Sequence, residues 1–94
     1  MRHMEICRKN AMLHPGQNNT LVYYIVVNDL KDFANDFACE IYGAGVTIVE
    51  TGETEIVSDV TFSKNEIFSL IKLLSDHLVT PVAVSDVVSD WLCQ

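Results

Sequence analysis

From residue 21 to residue 27 every position is apolar or aromatic: Leu21, Val22, Tyr23, Tyr24, Ile25, Val26, Val27. All but Leu21 are β-branched or aromatic, so this run predicts the firmest strand of the chain. A shorter strand is expected over residues 4–9. Between the two lies a turn cluster, Pro15-Gly16 followed by Gln17, Asn18 and Asn19. Residues 28–36 read as a polar turn, with Asn28, Asp29, Asp32, Asn35 and Asp36. Residues 37–50 follow as one strand or a bent pair, because Gly43 and Gly45 suggest a bulge or sharp bend. After a hairpin turn at residues 51–53, a strand over 54–61 places Ile56, Ser58 and Val60 on one face and Glu55, Val57 and Asp59 on the other.

The pattern then changes period. Ser63-Lys64-Asn65-Glu66 fits a capping box, in which Ser63 serves the Glu66 N–H and Glu66 reaches back; Phe62 and Ile67 hold the positions of a hydrophobic staple. Ile67, Leu70, Ile71, Leu74 and Leu78 share a helical face, so a helix is expected from about residue 64 to 78. Thr80 as N-cap and Pro81 as first residue open a second helix, with Val79 and Val84 as a second staple. Its stripe is Val84, Val87, Val88 and Trp91. Valines are poor helix formers, so packing must hold this helix. Strands first and helices last argue for an α+β fold: an antiparallel sheet of about four strands followed by two C-terminal helices packed on one face.

The central strand is apolar both ways. Leu21, Tyr23, Ile25 and Val27 point to one side; Val22, Tyr24 and Val26 point to the other. Two helices cover one face, and a face toward water would alternate with polar residues. Curling of the sheet could enclose the second face. We favour a partner there, a homodimer or another protein. The plainer reading is a monomer with tyrosines half buried and their hydroxyls wet.

A chain of 94 residues, 49% hydrophobic and 20% charged, fits a single globular domain over 1–94. Met4 sits close behind Met1, so residues 1–3 are expected to be disordered or extraneous to the domain. The net charge is −7 and unevenly spread. Up to residue 31, Arg2, Arg8, Lys9 and Lys31 outnumber Glu5 and Asp29; beyond it Lys64 and Lys72 face eleven carboxylates. Such a surface repels a phosphate backbone, so no nucleic-acid partner is expected. No secretory signal and no membrane-length apolar run is present, which makes the cytoplasm the default and membrane association unexpected. Cys7, Cys39 and Cys93 form no CxxC and read as free thiols, with Cys93 the most exposed.

Candidate chemistry is sparse. The acidic stretch 28–36 offers oxygen ligands but lacks the spacing and bidentate glutamate of a calcium loop. Asp86 and Asp90 lie four apart on a helix with no histidine or cysteine beside them, which suits a solvated face. His3, His14 and His77 show no ligand spacing, and His77 suits a helix C-terminus. Gly43-Ala44-Gly45 lacks the lysine of a phosphate loop. The serines sit in no nucleophile motif. No catalytic residue, cofactor or metal is therefore assigned. The candidate interaction face is Tyr23, Tyr24, Tyr42 and Trp91, although a Trp closing an apolar stripe is more often core.

Val79-Thr80-Pro81-Val82 followed by Asp86-Val87-Val88-Ser89-Asp90-Trp91-Leu92, with Tyr42-Gly43 upstream, resembles a small uncharacterised bacterial family of Firmicutes, especially clostridia. The resemblance spans about residues 20–92. It implies a cytosolic bacterial origin and a domain of unknown function, with no activity to transfer. Three readings follow. The first is a non-enzymatic interaction or regulatory module that self-associates. The second is a small-molecule binder or minor enzyme, with a site near the Gly43–Gly45 bend using Tyr42 or Tyr23 and a carboxylate. The third is an acidic phage or mobile-element accessory protein that inhibits a host factor, for which clustering of Glu50, Glu53, Glu55 and Asp59 on one edge would speak.

Overall fold

The computed structural model describes every residue except Phe33, Asn35, Asp36 and Gln94, with the backbone alone for Asp32 and Phe37. The chain forms β1 (Arg2–His14), β2 (Gln17–Asp32), β3 (Phe37–Ile48), β4 (Thr54–Thr61), α1 (Lys64–Asp76) and α2 (Pro81–Leu92). The strands pair antiparallel in chain order, β1-β2-β3-β4, so β1 and β4 are the edges. The expected α+β architecture is present. Both helices lie on the sheet face that carries Leu21, Tyr23, Ile25 and Val27, with α1 against all four strands and α2 against β3 and β4.

Two strands outrun their apolar residues. β1 begins at Arg2 and continues to His14, and β2 continues through Asn28–Asp32, which were expected to turn. Ladder bonds need only a partner backbone: Asn28 to Asp32 face Ile41 to Phe37 in register. Polarity there reports exposure, not a break. Asn35 and Asp36 of the expected turn lie outside the described residues. Arg2 and His3 belong to β1, opposite Val27 and Val26, so these leading residues are part of the fold. At Gly16, φ is +78°, a left-handed turn conformation that glycine supplies without steric cost.

β3 is one strand, and the bulge sits in β4 instead. Tyr42 pairs Thr61 while Ala44 pairs Val57, so β4 carries two extra residues, with Asp59 at φ +57°. The bulge corrects the expected faces: Val57 and Val60 both pack on the main core, and Ile56 packs on the opposite side. Gly43 has no room for a side chain because this bulge crosses it; a Cβ would stand 2.7 Å from the Ser58 Cα.

The second face of β2 is enclosed by the chain itself. Val22, Tyr24 and Val26 are 8%, 8% and 1% exposed. The Tyr24 ring lies over Gly45, where a Cβ would stand 2.5 Å from its Cζ. His3 stacks on that ring at 5.1 Å between centroids, and Ile56 packs beside it. The Tyr24 hydroxyl meets Thr54 Oγ1 at 2.8 Å and Thr47 Oγ1 at 3.2 Å. The Tyr24 ring over Gly45, with His3 and Ile56 beside it, thus buries this face within one chain, without the partner that the sequence pattern favoured for it.

Candidate functional site

Ile6 is the extra residue where the β1–β2 register shifts between Glu5 and Cys7. A bulge turns neighbouring side chains to one side, and Ile6 and Cys7 both pack against the main core. Lys9 follows two residues after Cys7, on the same face. Across from them α1 presents Phe68, Ile71, Lys72 and Ser75, spaced as one helical stripe. Between β1 and α1 these residues line a cleft of about 420 Å³. Ile71 and Ser75 form its buried floor, with Ser75 Oγ donating to the Lys72 carbonyl at 3.1 Å; Phe68 is 45% exposed at its wall.

Both charges on the cleft are cations, in a chain of net charge −7. Among the described residues the ion pairs are Arg2 with Asp29 and Glu40, and Arg8 with Glu5, so neither Lys9 nor Lys72 has a carboxylate within salt-bridge distance. The Arg8 guanidinium, hydrogen-bonded to Glu5, holds that carboxyl below its ordinary range. Beyond the cleft rim, β1 has no strand on its outer side among the described residues.

The aromatic residues expected to form an interaction face do not share one. Tyr23 is fully buried and donates its hydroxyl to the Val79 carbonyl at 2.9 Å; burial, and secondarily Cys7 nearby, pushes its pKa up to about 12. Tyr42 is 6% exposed in the same core, with Trp91 packed against that core, while Tyr24 lies on the opposite side of the sheet. At the Gly43–Gly45 stretch the space beside each glycine is filled by the β4 bulge and the Tyr24 ring. Asp86 and Asp90 are exposed on α2. Glu50 is engaged at the β3–β4 turn, accepting from the Thr20 N–H at 2.7 Å and hydroxyl at 2.9 Å, which lowers its pKa. Asp59 accepts from Asn28 at 2.9 Å. Two members of the acidic group at residues 50–59 are thus tied to β2. Among the described residues no three His, Cys, Asp or Glu side chains converge as a metal site, and no helix is long and apolar enough to cross a membrane.

The cleft residues were not singled out by periodicity. Phe68 and Lys72 flank the Ile67/Leu70/Ile71/Leu74 stripe and read as its solvent side. The usable signal was the second stripe, Phe68, Ile71, Lys72, Ser75, which shares Ile71 with the first.

Residues 2–94 match a family of unknown function, DUF6514, and the chain belongs to that family. No curated protein and no solved structure matches the chain.

Proposed function

We propose that the domain is a non-catalytic protein-interaction module whose contact surface is the β1–α1 cleft. The observation that carries this reading is the coincidence of three features. An apolar cleft, two lysines without a carboxylate partner among the described residues, and an edge strand of the described sheet all meet at β1. Interfaces need a desolvated anchor pocket and a polar rim, and this is the arrangement here. The Thr80-Pro81-Val82 ending and the Tyr42-Gly43 pair support a bacterial, cytoplasmic setting as part of the same proposal. A dimer through the second sheet face loses its motive, since that face is closed within one chain.

A peptide-display selection on the purified domain tests the reading. Clones retained by the wild type should be lost on Phe68→Asp, a substitution at an exposed position. A selection that enriches nothing, or enriches clones indifferent to Phe68, would remove it. The cleft volume also falls in the range of small-molecule sites, about 300–1,000 Å³, which favours an amphipathic anion as a second reading. That reading moves the expected ligand site from the glycine bend to β1–α1.

A further inference from the structure

We infer that the occupant of the cleft is an extended acidic peptide segment that adds to the sheet as a fifth strand along residues 7–12 of β1, a step that rests on reading the cleft as the contact surface. Past the shift at Glu5/Cys7, β1 runs in unbroken register from Cys7 opposite Tyr23 to Met12 opposite Asn18. Six residues of regular edge extend about 20 Å. Alternate residues of such an edge turn their N–H and C=O groups away from β2, where an added strand can pair with them.

The side-chain pattern of the occupant follows from the pleat. Cys7 and Lys9 face the cleft two residues apart, so two residues of an added strand, also two apart, face it as well. In the cleft these residues meet apolar surface from Cys7, Phe68 and Ile71 and the ammonium groups of Lys9 and Lys72. Apolar and carboxylate side chains separated by one residue complement this wall. Charge complementarity also restricts where an acidic segment can land. The chain has 13 carboxylates against 6 lysines and arginines, and three of those six, Arg2, Arg8 and Lys9, lie on β1. Arg2 and Arg8 are already paired, and of the four lysines Lys9 and Lys72 are the two that line one cleft, while Lys31 and Lys64 line no part of it. A second copy pairing two-fold about Arg8 or Lys9 would set that cation against its own counterpart, whereas an acidic segment meets both Lys9 and Lys72 with opposite charge, so a second copy is the poorer occupant.

Synthetic octapeptides of the repeat Val-Thr-Glu-Thr, which sets valine and glutamate two residues apart on one face, labelled for fluorescence anisotropy, test the inference. The glutamate peptide should bind, and its lysine counterpart should bind about tenfold or more weakly. Charge reversal by Lys9→Glu with Lys72→Glu, both at exposed positions, should invert that preference, with circular dichroism confirming the fold. The decisive arm is backbone N-methylation on alternate residues. Methylation of one parity should weaken binding about tenfold, as two lost hydrogen bonds would, while the other parity leaves it unchanged. Equal affinity for both methylated forms and the parent peptide would overturn strand addition. If display clones still depend on Phe68 in that case, the interaction-module reading stands and only this inference falls; if nothing binds the cleft, both fall. Displacement of the peptide by octanoate, with no sensitivity to N-methylation, would assign the cleft to a small anion and overturn the inference. So would light scattering that shows an oligomer which the peptide dissolves without charge preference.

Discussion

Tyr23 and Tyr24 are adjacent and hold opposite sides of the same sheet. Tyr23 fixes the α1–α2 connection through its bond to the Val79 carbonyl, whereas Tyr24 closes the outer face by lying on Gly45. Tyr23→Phe should cost about 1 kcal/mol in urea unfolding, the net worth of one buried hydrogen bond. Gly45→Ala should cost about 1–3 kcal/mol through overpacking, and that cost should largely disappear in a Tyr24→Ala background. Gly43→Ala meets the backbone of Val57 and Ser58 instead of a side chain, so its cost should survive the same background. A double-mutant cycle separates the two; equal coupling of both glycines to Tyr24 would refute the packing described.

At the scale of elements, the helix ends distinguish a cap that works from one that only looks right. Ser63 Oγ accepts from the Glu66 N–H at 3.2 Å, but Glu66 accepts from the Thr61 hydroxyl at 3.0 Å, and Thr61 in turn accepts from the Ser63 N–H at 3.1 Å. The return arm of the box thus runs through Thr61. Phe62, the expected staple partner, is 62% exposed. Thr80 occupies the N-cap of α2 without a side-chain cap bond. Ser63→Ala should therefore cost about 1 kcal/mol, and Thr80→Ala only a few tenths, both read from thermal unfolding. α1 stops at Asp76 rather than running to residue 78 because Leu78 adopts φ +49°. The Val79 N–H bonds the Leu74 carbonyl at 3.0 Å and the Leu78 N–H bonds that of Ser75 at 3.2 Å, the double closure of a Schellman end. Leu78 is 41% exposed and holds the position glycine prefers. Leu78→Gly should stabilise the protein by up to about 1 kcal/mol; a loss would mean that the leucine packs more than its exposure suggests.

The same elements show how far the chain could be read. Helix faces, the Ser63 and Pro81 starts and the span of β4 follow from spacing and local chemistry, which are properties of neighbouring residues. The Asp59 bulge, the fit of Tyr24 over Gly45 and the long β2–β3 ladder depend on pairing between distant segments. Lys9 and Lys72 are 63 positions apart and gain meaning only when α1 crosses β1. No local pattern encodes that juxtaposition.

For the whole molecule, pH bounds stability from both sides. The lowered pKa of Glu50 means that its bonds to Thr20 stabilise the fold above the ordinary carboxylate pKa, about 4.3, and are lost as pH falls through the lower folded value. Glu50→Gln should flatten the acid limb of the stability profile. Tyr23 works in the other sense. Its raised pKa contributes stability in full below about pH 10, lost as pH rises toward about 12, and Tyr23→Phe should shift alkaline unfolding upward. The β1–α1 cleft stands apart from both effects, since its charges, Lys9 and Lys72, make no ion pair among the described residues.

Amide chemical-shift mapping of the ¹⁵N-labelled domain, titrated with the Val-Thr-Glu-Thr repeat peptide, tests the cleft assignment most directly. The expected result is a contiguous set of shifted amides along residues 7–12 and on α1 from Phe68 to Ser75, with newly slowed hydrogen exchange at alternate β1 positions. Shifts centred on the Tyr24–Gly45 face or on α2, with β1 unmoved, would contradict it.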